Sequence, residues 1–262
     1  MAEIIVPPPQ VDPDTEIARL AERHEAAGGF GIQLLNIIGG QVDGLIDRLP
    51  REVQDQLGQA THAALVQALS VASRSRRIVP DQSPWMNRAV GSAMGAAGGF
   101  GGLPTALAEL PLTTTMLLRV IEGVAVEHGF DPEAASVRFD CVQVFSAAGP
   151  LAHDDGADVG FMSARMALSG AAMQSLITRV APRLAAAMGQ KLAAQTIPVL
   201  GAAAGAATNY AYVGYYTDIA HVHFGLRRLA VEADIPHEAA VDQLRAVLSV
   251  PRKSRPGPRM TP

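Results

Sequence analysis

Residues 192–217 read LAAQTIPVLGAAAGAATNYAYVGYYT, a stretch without a single charged side chain. Gly201 and Gly205 are four residues apart, which puts both on one face of a helix and leaves the backbone bare there. The stretch is long enough to cross a bilayer core. However, it has few large aliphatic side chains, and Gln195, Pro198 and Asn209 oppose insertion. It therefore predicts a helix that packs very closely against a neighbour.

A second uncharged stretch, residues 89–108, repeats this pattern. Gly91, Gly95 and Gly99 follow one another at a spacing of four residues. An internal glycine costs a helix about 1 kcal/mol relative to alanine, so close helix contact must offset about 3 kcal/mol in this segment. Two interpretations stay open at this point. The glycines of both stretches either pack inside a soluble bundle, or form a glycine zipper in a membrane-inserting hairpin, where they would contact lipid or a partner protein.

All four tyrosines of the chain fall inside the first stretch. The helical repeat places Tyr212, Tyr215 and Tyr216 on one face, while Tyr210 points away from them. Such a cluster suits anchoring at a membrane interface, stacking on a ligand, or packing against small neighbours. Ordinary packing is the interpretation that we favour.

The composition favours an all-α protein. Hydrophobic residues make up 48% of the chain, which is enough for one buried core, whereas aromatic residues make up only 5%. Alanine is favoured in helices and depleted in strands, and no window shows sustained alternation of apolar and polar residues. We predict a single compact domain of about seven to nine close-packed helices over residues 13–250. An extended arm (residues 1–12) precedes it, and a basic, proline-rich tail (residues 251–262), predicted to be disordered, follows it.

Glycine and proline positions predict where helices end. Gly28 and Gly29 are expected to end the first helix, and a second helix is expected over about residues 30–49. Pro182 and Pro198 are expected to break the helical region between residues 159 and 233.

Charge and motifs exclude several classes of protein. The net charge of −4 leaves no broad basic surface, so nucleic acid is not an expected partner. Cys141 is the only cysteine, and residues 1–16 lack the basic and apolar regions of an export signal, so we expect a cytoplasmic location. The chain contains no GxxxxGK(S/T), GxSxG or HExxH motif, and no cofactor is expected.

A few polar residues embedded in apolar helix are candidates for a catalytic role. Glu109, Arg119 and Asn209 all lie in such surroundings. A buried charge must be paired, so Glu109 and Arg119 are candidate partners in an ion pair, structural or catalytic. Asp218 and His221 share a helix face at a spacing of three residues and would supply half of a metal site.

A set of short motifs resembles the EcsC protein family. The motifs are Gly101-Gly102-Leu103-Pro104, Glu109-Leu110-Pro111, Leu118-Arg119 with Ile121, Glu127-His128-Gly129, Asp131, Phe145, residues 197–202, Asn209, Phe224 and Arg227-Arg228-Leu229. The resemblance covers roughly residues 60 to 235. It implies a helical bacterial domain that is linked by gene neighbourhood to membrane transport or secretion. It assigns no catalytic residue, although Glu109, Arg119 and Asn209 occupy family motif positions.

Three hypotheses about function follow. The first is a non-enzymatic accessory protein on the inner face of the cell membrane, which uses the glycine-rich segments and the tyrosines to contact an anionic membrane surface or a membrane protein. The second is a hydrolase or metal-dependent enzyme built on Glu109, Arg119, Asn209, Asp218 and His221. The third is a carrier for an apolar ligand, which requires a closed cavity of several hundred Å³.

Overall fold

The structure, a computed structural model, describes residues 12–37, 50–78, 81, 83–100, 102–147, 170–195 and 201–250. Within these ranges the chain forms eight helices and no strand. The helices are α1 (Pro13–Ile37), α2 (Arg51–Ile78), α3 (Pro84–Phe100), α4 (Gly102–Glu127), α5 (Ala135–Val144), α6 (Gly170–Gln195), α7 (Gly201–Glu232) and α8 (His237–Ser249). The predicted all-α class, a compact domain with close-packed helices, is confirmed. The predicted tail, and all of the predicted arm except Asp12, lie outside the described residues.

α7 is the central helix of the bundle. It packs against α1, α3, α4, α5, α6 and α8, whereas α2 packs against α4 and α6. The largest side chains of the core come from α7 and from the end of α5, and they include Tyr212, Tyr216, Phe145 and Phe224. Because α7 carries many small residues, several helices approach it at once, and it fixes their relative positions.

Local sequence signals explain several helix ends. Asp12 caps α1, since its carboxylate accepts hydrogen bonds from the backbone N–H and the hydroxyl of Thr15, at 3.3 and 2.5 Å. Proline occupies the first position of α1 and of α3. Past the end of α4, Gly129 adopts a φ of +83°. In this conformation the N–H of Phe130 reaches back to the carbonyl of Ala125 at 2.9 Å.

Two predicted helix breaks are wrong. α1 continues through Gly28 and Gly29 to Ile37, and α6 continues through Pro182 to Gln195. A glycine costs a helix only about 1 kcal/mol, which contacts of α1 with α7 and α8 offset. Pro182 is exposed, so its ring lies on the solvent side of α6 while residues of the next two turns, such as Leu184 and Met188, are fully buried. Pro198, and the predicted second helix beyond Ile37, lie outside the described residues.

Candidate functional site

The glycines of α3 face α7 at very short range. A methyl group on Gly95 would lie 2.6 Å from the carbonyl carbon of Gly205 and 2.9 Å from the Cβ atom of Asn209. A methyl group on Gly91 would lie 2.8 Å from a methyl group of Val213. Gly95 therefore lies directly against the backbone of α7, whereas Gly91 lies against the side chains of Val213 and Met116. Gly99 and Gly201 belong to the same two helices, but their surroundings lie outside the described side chains.

Two of the three embedded polar candidates meet beside this glycine contact. The side-chain amide of Asn209 donates to the Glu109 carboxylate at 2.8 Å and to the backbone carbonyl of Gly91 at 2.9 Å. The hydroxyl of Thr113 donates to the same carboxylate oxygen at 2.9 Å. Glu109 is 6% exposed and Asn209 is 2% exposed. The cluster joins α3, α4 and α7, and its burial keeps substrate away from the carboxylate.

Arg119 lies elsewhere. It follows Glu109 by ten residues on the same helix, which separates them by about 15 Å along the axis. Its guanidinium donates to the hydroxyl of Ser75 at 2.9 Å and approaches the carboxylate of Asp81 at 4.0 Å. The expected ion pair between Glu109 and Arg119 is therefore wrong, because the length of α4 holds the two side chains apart.

The three tyrosines predicted to share a face belong to the core. Tyr212 and Tyr216 are fully buried, and Tyr215 is 2% exposed. The hydroxyl of Tyr212 donates to the backbone carbonyl of Ala187 on α6, and the Tyr216 ring meets Phe145 edge to face at 5.2 Å. Desolvation raises the pKa of both Tyr212 and Tyr216 well above the usual value. In this conformation their shared face contacts neighbouring helices and not the surface.

Asp218 and His221 do lie near each other on α7, but each has a different partner. Asp218 accepts a hydrogen bond from Arg23 of α1 at 2.9 Å. His221 Nδ1 lies 3.0 Å from His128 Nε2, and its other ring nitrogen lies 3.7 Å from a carboxylate oxygen of Glu127. In the part of the chain that the structure describes, no three His, Cys, Asp or Glu side chains are placed to hold a metal ion. Among the described residues, no third ligand therefore joins Asp218 and His221.

The two histidines are held in their neutral form. Burial, and then the charge of Arg23, lowers the pKa of His221 to about 3. Burial, and then the charge of Arg228, lowers the pKa of His128. A hydrogen bond between two ring nitrogens needs one N–H and one lone pair, so neutral rings suit this contact. The pair thus forms a hydrogen bond that connects the end of α4 to the middle of α7.

One polar cluster is not predicted by any sequence pattern. Asp140 of α5 forms an ion pair with Arg227 of α7, and Ser136 accepts a second hydrogen bond from the same guanidinium at 3.2 Å. The buried His223 places its Nε2 atom 3.5 Å from the Asp140 carboxylate. Ser136 and Asp140 lie on one helix, and His223 and Arg227 lie on another that is more than 80 residues away along the chain. Of the residues in this cluster, only Arg227 was marked by the sequence, because it lies in one of the motifs that resemble the family.

A cavity of about 240 Å³ opens to the surface between α1, α3 and α7. It is lined by Ala26, Ala27, Arg88, Tyr210, Ala211, Gly214, Tyr215 and Asp218, and is called the Arg88 cavity below. Two of these residues are charged and the cavity is open. It therefore does not match the closed apolar cavity that a carrier for an apolar ligand requires.

None of the described helices combines the length and the hydropathy that a membrane span needs. A family model described as "EcsC protein family" matches residues 33–229, which is more than half of the chain. No curated protein and no solved structure matches the chain.

Proposed function

This chain belongs to the EcsC protein family, and we propose that it is a non-enzymatic accessory protein of bacterial transport or secretion that associates with the inner face of the membrane. The proposed contact is the outer surface of the hairpin formed by α3 and α4. Association is peripheral, with the hairpin lying against the headgroup region.

The observation that carries this proposal is the absence of charge from the outside of the hairpin. Between residues 83 and 118 the sequence has only two charged side chains, Arg88 and Glu109. Glu109 is buried, and Arg88 turns over the ring of Tyr210 on α7. The described exposed side chains of this segment are Ser83, Pro84, Trp85, Ala89, Val90, Ala93, Ala97, Ala108 and Leu112.

The apolar members of this surface are strongly exposed. Trp85 is 66% exposed, Leu112 is 62% exposed and Val90 is 45% exposed. Tryptophan is the side chain best suited to the membrane interface, because its ring is apolar and its N–H remains able to bond water or headgroups. A surface that is uncharged and modestly apolar binds at the interface without inserting deeply. Four cations in residues 251–262 would add weak attraction to anionic lipid, at about 1 kcal/mol each.

The proposal keeps the segment around residues 89–108 but moves the contact to its other face, and it leaves out the second glycine-rich segment with Tyr212, Tyr215 and Tyr216, which are buried. The glycine faces of α3 and α7 meet each other, so they hold α3 against the bundle. The opposite face of α3 is then left for lipid. The enzyme hypothesis has no comparable support, because its residues divide among three separate places and the carboxylate at its centre is buried.

The experiment uses the fluorescence of Trp85, the only tryptophan of the chain, to detect contact with the membrane. Because Trp85 is largely exposed, its emission in buffer should be that of a solvated indole. Vesicles of phosphatidylethanolamine and phosphatidylglycerol should shift the emission to shorter wavelength, as the ring leaves water. Vesicle flotation then measures binding for variants that lack the reporter.

Trp85→Ser and Leu112→Ser should each reduce the floated fraction several-fold. Val231→Ser is the matched control, because Val231 is 73% exposed but lies on α7 next to the charged Glu232. It should float as the unchanged protein does. An emission spectrum that vesicles leave unchanged, or equal losses in all three variants, would refute the proposal.

A further inference from the structure

The Arg88 cavity contains an unsatisfied cationic group. The Nε atom of Arg88 is buried and has no hydrogen-bond partner among the described residues. Buried N–H groups are nearly always bonded, so an unbonded one beside a cavity is a candidate for bonding a ligand that enters the cavity. The cavity beside it, at about 240 Å³, is smaller than a typical site for a drug-sized ligand but accepts a small polar molecule.

The guanidinium is held in place by the surface of α7. A methyl group built on Gly214 would lie 3.5 Å from Nη2 and 3.6 Å from Nε, at ordinary van der Waals distance, so the planar group lies over this glycine with room for little more than a methyl group between them. The ring of Tyr210 lies 5.4 Å from the central carbon of the guanidinium and adds a cation–π contact. An arginine fixed in this way loses little further freedom when it binds an anion.

The charges around the cavity favour an anion. Asp218 is the only carboxylate in the lining, and it is already bonded to Arg23 at 2.9 Å. The charge of Asp218 is therefore already matched by Arg23, which is not part of the lining. Among the described residues, no carboxylate forms an ion pair with Arg88, and this leaves a net positive charge at the cavity.

We propose that the Arg88 cavity binds the phosphate group of a small phosphate ester. Arginine presents two parallel N–H groups that match two oxygens of a phosphate, and one such pair would satisfy the buried Nε. The remaining volume suits a substituent of about the size of glycerol. The phosphate belongs either to a lipid headgroup or to a soluble ester. The headgroup source rests on the proposed function, since Arg88 lies one helical turn from Trp85.

The first arm of the test uses no membrane. The full chain is titrated with sn-glycerol 3-phosphate and with inorganic phosphate, and binding is followed by calorimetry and by broadening of the ³¹P resonance. We expect saturable binding of glycerol phosphate with a Kd of about 1 mM or tighter. Arg88→Gln should weaken it about tenfold or more, because it removes a charge-assisted bidentate pair. Gly214→Leu should do the same by filling the cavity from the opposite wall.

Arg138→Gln is the control. Arg138 is also partly buried, but it bonds the backbone carbonyl of Leu69 on a different side of the bundle. It should leave phosphate binding unchanged. Circular dichroism establishes that each variant is folded. Absence of saturable binding, or equal affinities in all the proteins, overturns the proposal.

The second arm identifies the source of the phosphate. If Arg88→Gln also lowers flotation with vesicles that contain phosphatidic acid, the headgroup is the ligand. If flotation is unchanged while glycerol phosphate binding is lost, the ligand is a soluble ester. Failure of the membrane proposal alone appears as absent flotation with intact binding of glycerol phosphate.

Discussion

Replacing Gly95 with alanine should separate the two central helices of the bundle. The added methyl group would lie 2.6 Å from the Gly205 carbonyl carbon and 2.9 Å from Asn209 Cβ. The obstacle at Gly205 is backbone, which no rotamer change removes. α3 and α7 must therefore move apart by several tenths of an ångström or more.

The expected cost follows from three terms. Alanine improves the intrinsic stability of the helix by about 1 kcal/mol relative to glycine. Overpacking of a close contact costs about 1–3 kcal/mol. Separating the helices also stretches the hydrogen bonds that Asn209 donates to Gly91 and to Glu109, and bonds to charged groups contribute about 1.5–3 kcal/mol. The sum is a loss of about 3 kcal/mol in the free energy of unfolding.

Gly58→Ala is the matched control for this substitution. Gly58 lies in the interior of α2, and a methyl group there would meet nothing within 4 Å. It should stabilise the protein by about 0.5–1 kcal/mol, through helix propensity alone. Urea unfolding followed by circular dichroism at 222 nm measures both variants. If Gly95→Ala unfolds within about 0.5 kcal/mol of Gly58→Ala, the argument for direct backbone contact fails.

Two further predictions concern the hydrogen bonds that connect α7 to α4 and to the residue that follows it. Glu109→Ala should destabilise the protein by about 2–3 kcal/mol, because it removes the acceptor of one N–H of Asn209 and of the Thr113 hydroxyl, and Glu109→Gln should restore part of that loss. Urea midpoints measure both changes, and equal midpoints for the alanine variant and the unchanged protein would contradict the role of the carboxylate. The lowered pKa values of His128 and His221 mean that below about pH 6.5 the unfolded chain binds protons that the folded chain does not. Stability should therefore be fully present above pH 7 and fall as the pH drops to 5. His221→Gln should flatten that dependence, and an unaltered pH profile would exclude the histidine pair as its source.

Patterns along a single helix were sufficient to predict the all-α class and which residues share a helix face. The spacing of Gly91 and Gly95 depends only on the helical repeat, and so does the shared face of Tyr212, Tyr215 and Tyr216. The same reasoning was wrong at Gly28, Gly29 and Pro182. Glycine and proline have local costs of a few kcal/mol, and contacts with other helices outweigh them.

The candidate site was predicted only in part. Sequence reasoning found Glu109 and Asn209 as embedded polar residues, but paired Glu109 with the wrong residue, because it matched the two opposite charges that lie nearest in the apolar sequence. The true partner of Glu109, the amide of Asn209, is 100 residues away in the chain. Arg88 was not singled out, since nothing in the sequence near it shows that Gly214 would lie beneath its guanidinium.

The amino-acid sequence was enough to establish that the protein is helical, that two helices carry a glycine face, and that the segment around residues 89–108 is uncharged. These properties depend only on composition and on helical periodicity. The packing of the helices established which face of α3 is buried against α7 and which is exposed. It also brought Arg88 to a cavity whose one carboxylate, Asp218, is already paired with Arg23. Contacts between residues far apart in the chain depend on how the helices are positioned around α7, and local periodicity carries no information about that arrangement.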